Sequence, residues 1–179
     1  MPIHLVLGGA RSGKSQFAEK LAAEQLEDRV ASAVTYIATA QVYDEEFKAR
    51  IQQHQARRDA SWLLVEEPHY LTQTLAQLAR PQQCLIVDCL TLWLAQWICP
   101  DCNPPQDSSW AFEREAFLAL LPTLPGTVIL VSNEVGMGIV PLGEINRRFQ
   151  DEQGRLNQAV AQVADHVVFV AAGLPLTLK

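Results

Sequence analysis

Gly8-Gly9-Ala10-Arg11-Ser12-Gly13-Lys14-Ser15 carries the spacing G-x-x-x-x-G-K-[ST], and residues of these types in this order can hold a phosphate chain. Glycines leave backbone N–H groups open to an anion, and a helix following the loop points its positive end the same way. Lys14 would reach the β- and γ-phosphates, and the Ser15 hydroxyl would help hold Mg²⁺. The plain alternative is a Gly-rich turn closed by a capping serine. Asp88 ends the apolar run Leu85-Ile86-Val87, which suits a carboxylate aimed at the same Mg²⁺, or else a strand-end aspartate capping the next helix. His54 offers a third chemistry. Phe47, Ile51, His54 and Arg58 share one face at helical spacing, so the imidazole turns inward with the apolar stripe. A buried, hydrogen-bonded core histidine satisfies that geometry. Arg57 and Arg58 beside it call for anionic partners, however, and a neutral imidazole near a phosphate site is a competent nucleophile for phosphoryl or nucleotidyl transfer. His4, His69 and His166 sit where packing or surface roles suffice.

The elements that must position these residues follow from the hydrophobic pattern. Short apolar runs predict strands over Ile3–Leu7, Val34–Ala38, Leu63–Glu66, Cys84–Asp88, Val128–Ser132 and Val167–Val170, with a last short one over Leu176–Leu178. Helical periodicity fills Gln16–Gln25, Glu45–Arg58, Tyr70–Leu78, Leu90–Trp97, Trp110–Leu121 and Glu144–Ala164. Asp44 would cap the second of these, with Glu45 and Glu46 at its positive end. Alternation of the two kinds predicts a mainly parallel α/β sheet flanked by helices. Gly173 and Pro175 are expected to make the turn of a C-terminal antiparallel edge hairpin. No repeat or linker divides the chain, so residues 1–179 read as a single P-loop nucleotide-binding domain; Pro100–Ser109, with three prolines, reads as a surface excursion. Ligands in such sheets collect at the carboxyl ends of the strands. That rule singles out the loop itself, Thr39-Ala40-Gln41, Glu66-Glu67, Asp88 and Asn133-Glu134-Val135-Gly136-Met137-Gly138.

Bulk properties narrow the class. With 49% hydrophobic and 19% charged residues and a net charge of −6, the composition is that of an ordinary globular protein, not of a nucleic-acid platform. No apolar stretch reaches membrane-spanning length, and a strand pattern begins at Ile3, so a cytoplasmic protein with no membrane insertion is expected. Cys84 and Cys89 flank an apolar run as small buried hydrophobes. Cys99-Pro100-Asp101-Cys102 forms a C-x-x-C without the second pair a zinc site needs, so metal or redox use is the lesser reading.

Five segments standing in one order carry a resemblance: the loop Gly8–Ser15, Tyr36-Ile37-Ala38-Thr39-Ala40-Gln41, Arg50-Ile51-Gln52-Gln53-His54, Asn133-Glu134-Val135-Gly136-Met137-Gly138-Ile139-Val140-Pro141, and Gly154-Arg155-Leu156-Asn157-Gln158. Over nearly its whole length the chain resembles the bifunctional adenosylcobinamide kinase/adenosylcobinamide-phosphate guanylyltransferases of cobalamin biosynthesis. The run Asn133–Pro141 is the most specific of the five. The resemblance implies two reactions. A nucleoside triphosphate, ATP or GTP, phosphorylates adenosylcobinamide; GTP then passes its GMP moiety to that phosphate through a guanylyl-histidine, giving adenosylcobinamide-GDP and pyrophosphate.

The guanylylated histidine of the family falls on His54, with Lys14 beside it in the catalytic set. Nucleotide contacts fall on Gly8, Gly9, Ala10, Arg11, Ser12, Gly13, Lys14 and Ser15, on Ala38, Thr39 and Ala40, on Gln55, Ala56, Arg57 and Arg58, and on Glu66 and Asp88. Ser15 and Asp88 would be the Mg²⁺ ligands. A homo-oligomer is implied, with small molecules and no nucleic acid as partners. Some members carry a His-His pair where this chain has Gln53-His54, a glutamate at Asp88, and a Lys-Asp pair at Gln55-Ala56. Two other readings compete: a P-loop small-molecule kinase with His54 merely packed, and a GTP-dependent switch. The switch lacks the N-K-x-D guanine motif, and its D-x-x-G match, Asp151–Gly154, lies inside a helical pattern.

Overall fold

Runs rich in Val, Ile and Leu, too short for helices, pair into one seven-stranded sheet in the computed structural model, which describes residues 2–41, 59–99, 102 and 104–179. The strands are β1 (Ile3–Gly8), β2 (Ala33–Ala38), β3 (Leu63–Glu66), β4 (Gln83–Asp88), β5 (Thr127–Asn133), β6 (His166–Ala171) and β7 (Leu174–Thr177). Their order across the sheet is β3-β2-β4-β5-β1-β6-β7, parallel throughout except for the last pair. Among the described residues five α-helices connect them: α1 (Lys14–Glu27), α2 (Leu71–Leu78), α3 (Leu90–Ile98), α4 (Trp110–Leu120) and α5 (Glu144–Val163). The expected α/β class holds, and so do the individual strands and helices within the described residues. The helix expected over Glu45–Arg58 lies outside them.

The central strands are buried along almost their whole length, as parallel strands covered on both faces must be. Side-chain alternation sorts the core into two halves. Leu5, Leu7, Leu85, Val87, Val128 and Leu130 face the layer that holds α2 to α5. There Trp93 packs on Phe117 and Trp110, with ring centroids 4.9 and 5.1 Å apart. Val6, Cys84, Ile86, Ile129 and Val131 face α1, whose Ala18 and Ala22 let the helix lie close to the sheet. Burial pushes the Cys84 and Cys89 thiols up to about 12, so both are packing groups.

The C-terminal hairpin differs from expectation in its turn. Ala172 (φ 52°) and Gly173 (φ 79°) make it, while Pro175 sits inside β7 opposite Val170. A two-residue turn with both φ values positive excludes proline, whose ring fixes φ near −65°; an edge strand accepts it because one side of that strand has no N–H to supply. The tip of the hairpin does more than close the sheet. The Gly173 N–H donates to the Ser12 carbonyl at 2.8 Å, bracing the glycine-rich loop.

At the opposite, amino-terminal end of the sheet His4 stacks on its register partner His166, with centroids 4.7 Å apart and planes at 23°. Burial, reinforced by the neighbouring His166, lowers the His4 pKa to about 4 against a partial opposing pull from Asp165. His4 Nε2 is buried without a hydrogen-bond partner. Its folded pKa thus lies below its unfolded value of 6.5, and between those values the unfolded chain takes up a proton that the folded chain refuses. Stability from this source is complete above the unfolded value and is lost as pH falls. Thermal melts from about pH 7 down to about pH 4.5 should therefore show a steeper loss of Tm for the natural chain than for His4→Phe. Superimposable curves would show that the stacked pair has no part in acid sensitivity.

Candidate active site

Strands β1 to β5 of the parallel set each deliver a candidate residue to the carboxyl edge of the sheet, and register fixes their order. Gly8 ends β1 between Asn133 of β5 and Val170 of β6. Ala38 ends β2 between Glu66 of β3 and Asp88 of β4. The β1 loop and Asp88 are thus separated by the single strand β5.

Local contacts set the shape of the loop. A Cβ on Gly8 would stand 2.5 Å from both Ser12 Oγ and the Val170 carbonyl oxygen, so only glycine fits there. Arg11 (φ 57°) and Gly13 (φ 95°) turn the chain back, and Ser12 N–H closes on the Gly9 carbonyl at 3.3 Å. Gly13 is the N-cap of α1. No side chain caps this helix, and no acidic residue lies in its first turn. Its free N–H groups and positive end therefore face whatever enters the loop. Lys14 is buried and its Nζ donates to the Gly9 carbonyl at 3.0 Å, which folds the ammonium over the loop. Ser12 Oγ is buried with no partner. Open N–H donors, an ammonium and an unused hydroxyl make a set that binds phosphate oxygens.

Asp88 approaches from the other side. Tyr36 Oη donates to its Oδ2 at 2.8 Å, which orients the carboxylate and answers the capping alternative, since Cys89 and not Asp88 stands at the N-cap of α3. One carboxylate, the Ser15 hydroxyl and phosphate oxygens are the hard donors Mg²⁺ takes, its remaining positions going to water. Among the described residues no cluster of three or more His, Cys, Asp or Glu could cage a metal by itself.

The remaining expected residues divide. Ala38 and Ala40 flank the fully buried Thr39, whose hydroxyl donates to the Cys89 carbonyl (2.6 Å) and accepts from the Cys89 N–H (2.9 Å). That side chain locks the end of β2 to the end of β4, leaving backbone atoms for a ligand. Glu66 is exposed at the outer end of β3. Its neighbour Glu67 braces the turn before α2 by accepting from the N–H groups of His69 and Tyr70, each at 2.8 Å. His54, Gln55, Ala56, Arg57 and Arg58 lie outside the described residues.

Sequence reasoning missed a polar cluster behind β5. Ser132 Oγ donates to Asn157 Oδ1 (2.7 Å), and Gln153 Nε2 reaches both at 2.9 and 3.0 Å. Asn157 Nδ2 then donates to the Asn133 carbonyl at 3.0 Å, and Gln150 Nε2 to the Val135 carbonyl at 3.0 Å. Residues 150, 153 and 157 lie on one face of α5, a spacing that was legible as a polar stripe among apolar positions. They anchor the loop after β5, whose Glu134 N–H in turn donates to the Gly8 carbonyl at 3.1 Å. Beyond the anchor the loop presents Ile139 and Leu142 to solvent at 97% exposure each.

Residues 4–178 match the family model described as cobinamide kinase / cobinamide phosphate guanyltransferase. The chain belongs to that family. It is 53% identical over 175 residues to the bifunctional adenosylcobalamin biosynthesis protein CobP of Pseudomonas aeruginosa, covering 98% of this chain and 96% of the relative. It is 37% identical to CobU of Salmonella typhimurium and 34% identical to CobU of Escherichia coli, over 98% of each chain. Membership in the cobinamide kinase / guanyltransferase family makes the chain an enzyme of the kinase and guanylyltransferase type. Solved structures share the fold. Flagellar accessory protein FlaH of Methanocaldococcus jannaschii superposes with a TM-score of 0.54 at 14% identity, over 99% of this chain and 78% of that one. A second solved structure, an ATPase domain, gives 0.50 at 14% identity, over 94% and 68%. Among the described residues no helix is long and apolar enough to cross a membrane.

The cluster behind β5 generates a stability prediction. Asn157→Leu leaves Ser132, Gln153 and the Asn133 carbonyl short of a partner in a buried place, which should cost about 2–4 kcal/mol. For a chain of this size that lowers Tm by about 4–15 °C, whereas Gln158→Leu on the exposed side of α5 should change it little. Equal melting temperatures for both variants would refute the anchoring role.

Proposed function

We propose that this chain phosphorylates the aminopropanol hydroxyl of adenosylcobinamide with a nucleoside triphosphate seated on Gly8–Ser15. It then moves GMP from GTP onto the resulting phosphate by way of a guanylyl-His54 intermediate. The observation that carries the reading is the preformed loop: open N–H donors at an uncapped helix start, with Lys14 folded over them, in a chain of the cobinamide kinase / guanyltransferase family. A triphosphate arriving there would draw Lys14 Nζ from the Gly9 carbonyl onto its β- and γ-oxygens. Ser15 and Asp88 would hold Mg²⁺, which supplies charge neutralisation on the phosphate oxygens. Ala38 to Ala40, Glu66 and the segment Gln55–Arg58 would contact the nucleotide.

In the first reaction the substrate hydroxyl oxygen bonds to the γ-phosphorus and the bond to the β-phosphate bridging oxygen breaks. In the second, an imidazole nitrogen of His54 bonds to the α-phosphorus of GTP and pyrophosphate leaves with the bonding electrons. The corrinoid phosphate oxygen then displaces the imidazole, so one hard displacement between anions becomes two easier ones. The first of these attacks needs a neutral imidazole, so guanylylation should fall at acid pH.

Two measurements test the reading. With α-labelled GTP, His54→Ala should form no covalent GMP adduct and should lose guanylyl transfer; label retained on that variant would overturn the assignment of His54. Lys14→Ala should slow triphosphate-dependent phosphorylation at least about 100-fold, since it removes a charge that stabilises the transition state. Undiminished kinase turnover would take the loop out of the mechanism.

A further inference from the structure

We propose that Asn133 is a third member of the phosphoryl-transfer site, its carboxamide orienting the attacking hydroxyl of the acceptor substrate. Alternation along β5 places it. Val128 and Leu130 face the layer holding α5, and Ser132 continues that face by bonding to Asn157 and Gln153. Ile129 and Val131 face α1, and Asn133 follows them. On β4 the same parity carries Cys84 and Ile86, and then Asp88, to the α1 side. Lys14 opens α1 itself. Strand order sets β5 between the glycine-rich loop and Asp88, so three polar side chains from three elements share one face of one edge.

The main chain of Asn133 is held at every opportunity. Its N–H donates to Thr91 Oγ1 at 2.8 Å, its carbonyl accepts from Asn157 Nδ2 at 3.0 Å, and the next N–H donates to the Gly8 carbonyl at 3.1 Å. Its side-chain Oδ1, by contrast, is buried and has no hydrogen-bond partner. An orphaned buried acceptor is unfavourable in the free protein, and an apolar residue of similar size would remove the penalty. A backbone fixed by three bonds and an acceptor left idle together describe a group waiting for a donor. The donor that phosphoryl transfer brings to this edge is the acceptor hydroxyl.

Asparagine has no titratable proton near neutral pH, so its part is orientation and not base catalysis. The hydroxyl donates to Oδ1 while one of its lone pairs points at the γ-phosphorus. The new O–P bond forms, the bond to the β-phosphate bridging oxygen breaks, the nucleoside diphosphate leaves with the electron pair, and the hydroxyl proton passes to an oxygen of the transferred phosphoryl group. This role rests on the reading of Gly8–Ser15 as the triphosphate clamp.

The test compares Asn133→Leu and Asn133→Ala with the natural chain, all full length, in kinase turnover on adenosylcobinamide, triphosphate affinity, adduct formation from α-labelled GTP without corrinoid, and thermal melting. The expectation is a fall in kcat of about 30- to 100-fold with triphosphate Kd within about threefold, as for loss of an orienting contact. Adduct formation should stay within about threefold, because His54 and not the hydroxyl attacks there. Tm of the leucine variant should hold or rise by a few degrees, since the idle acceptor is gone. A kcat within threefold of natural in both variants overturns the proposal. So does a fall in kcat matched by lower Tm and weaker triphosphate binding in both, which would mark Asn133 as structural. Kinase activity surviving Lys14→Ala would instead strike the clamp reading, and the two failures are thereby told apart.

Discussion

The bond from the Gly173 N–H to the Ser12 carbonyl, with the bond from the Glu134 N–H to the Gly8 carbonyl, is the constraint on which the site depends. A loop built to bind phosphate must keep several backbone donors unpaired until the ligand comes, and unpaired buried donors favour collapse. Here the loop is fastened through its carbonyls instead. The hairpin tip after β6 takes one, the segment after β5 takes another, and Lys14 and the Ser12 N–H share the Gly9 carbonyl. The N–H side stays free because the C=O side is occupied. β6 also limits the loop sterically, since a Cβ at Gly8 would run into the Val170 carbonyl and one at Gly13 would lie 3.2 Å from Gly173 Cα. Glycine is demanded at Gly8 by its neighbours and at Gly13 by a φ of 95° as well.

That arrangement gives the far ends of the chain a stake in the site. β7 is the last element and an edge strand, exposed along its length, yet the turn that precedes it touches the loop that follows β1. The polar cluster of α5 acts similarly from behind the sheet, holding the segment after β5 by its carbonyls at Asn133 and Val135. Ordering a site before the ligand arrives moves the entropy of ordering from the binding event into folding.

How much of this was legible in the sequence depended on the kind of signal. Strands and helices announce themselves by period, and the loop by its spacing, so the sheet and the direction of its carboxyl edge could be read residue by residue. The place of Asp88 at the end of β4 was readable because it closes the apolar run Leu85-Ile86-Val87. Its hold on Tyr36 was not, because that contact joins positions 52 residues apart through the pairing of β2 with β4. The Gly173 brace was hidden for the same reason. Pro175 misled because proline is at home both in turns and on edge strands, and only the pair of positive φ values at Ala172 and Gly173 decides between them. Thr39 read as a ligand contact because it follows a strand; its hydroxyl is engaged by Cys89 across the sheet, which no local pattern reveals.

On the proposed reading one cradle serves two displacements, and the described connections around it are rooted on different strands. The described residues that follow β2 run to Gln41, and those that precede β3 begin at Asp59. The ends of β2 and β3 are tied on the Asp88 side of the loop, through Thr39 on Cys89 and the Glu67 N–H on the Ala38 carbonyl at 2.9 Å. The segment after β5 rises instead beside Gly8, with Asn133 at its root and apolar side chains beyond. Under the proposed function, a triphosphate at the start of α1 would meet groups from separate connections, among them Asp88 at the end of β4 and Asn133 at the end of β5. Each can specialise without disturbing the other, because the sheet between them is buried and parallel and its register does not slip. On the proposed reading the loop between Gly8 and Ser15 therefore need not change shape from one reaction to the next.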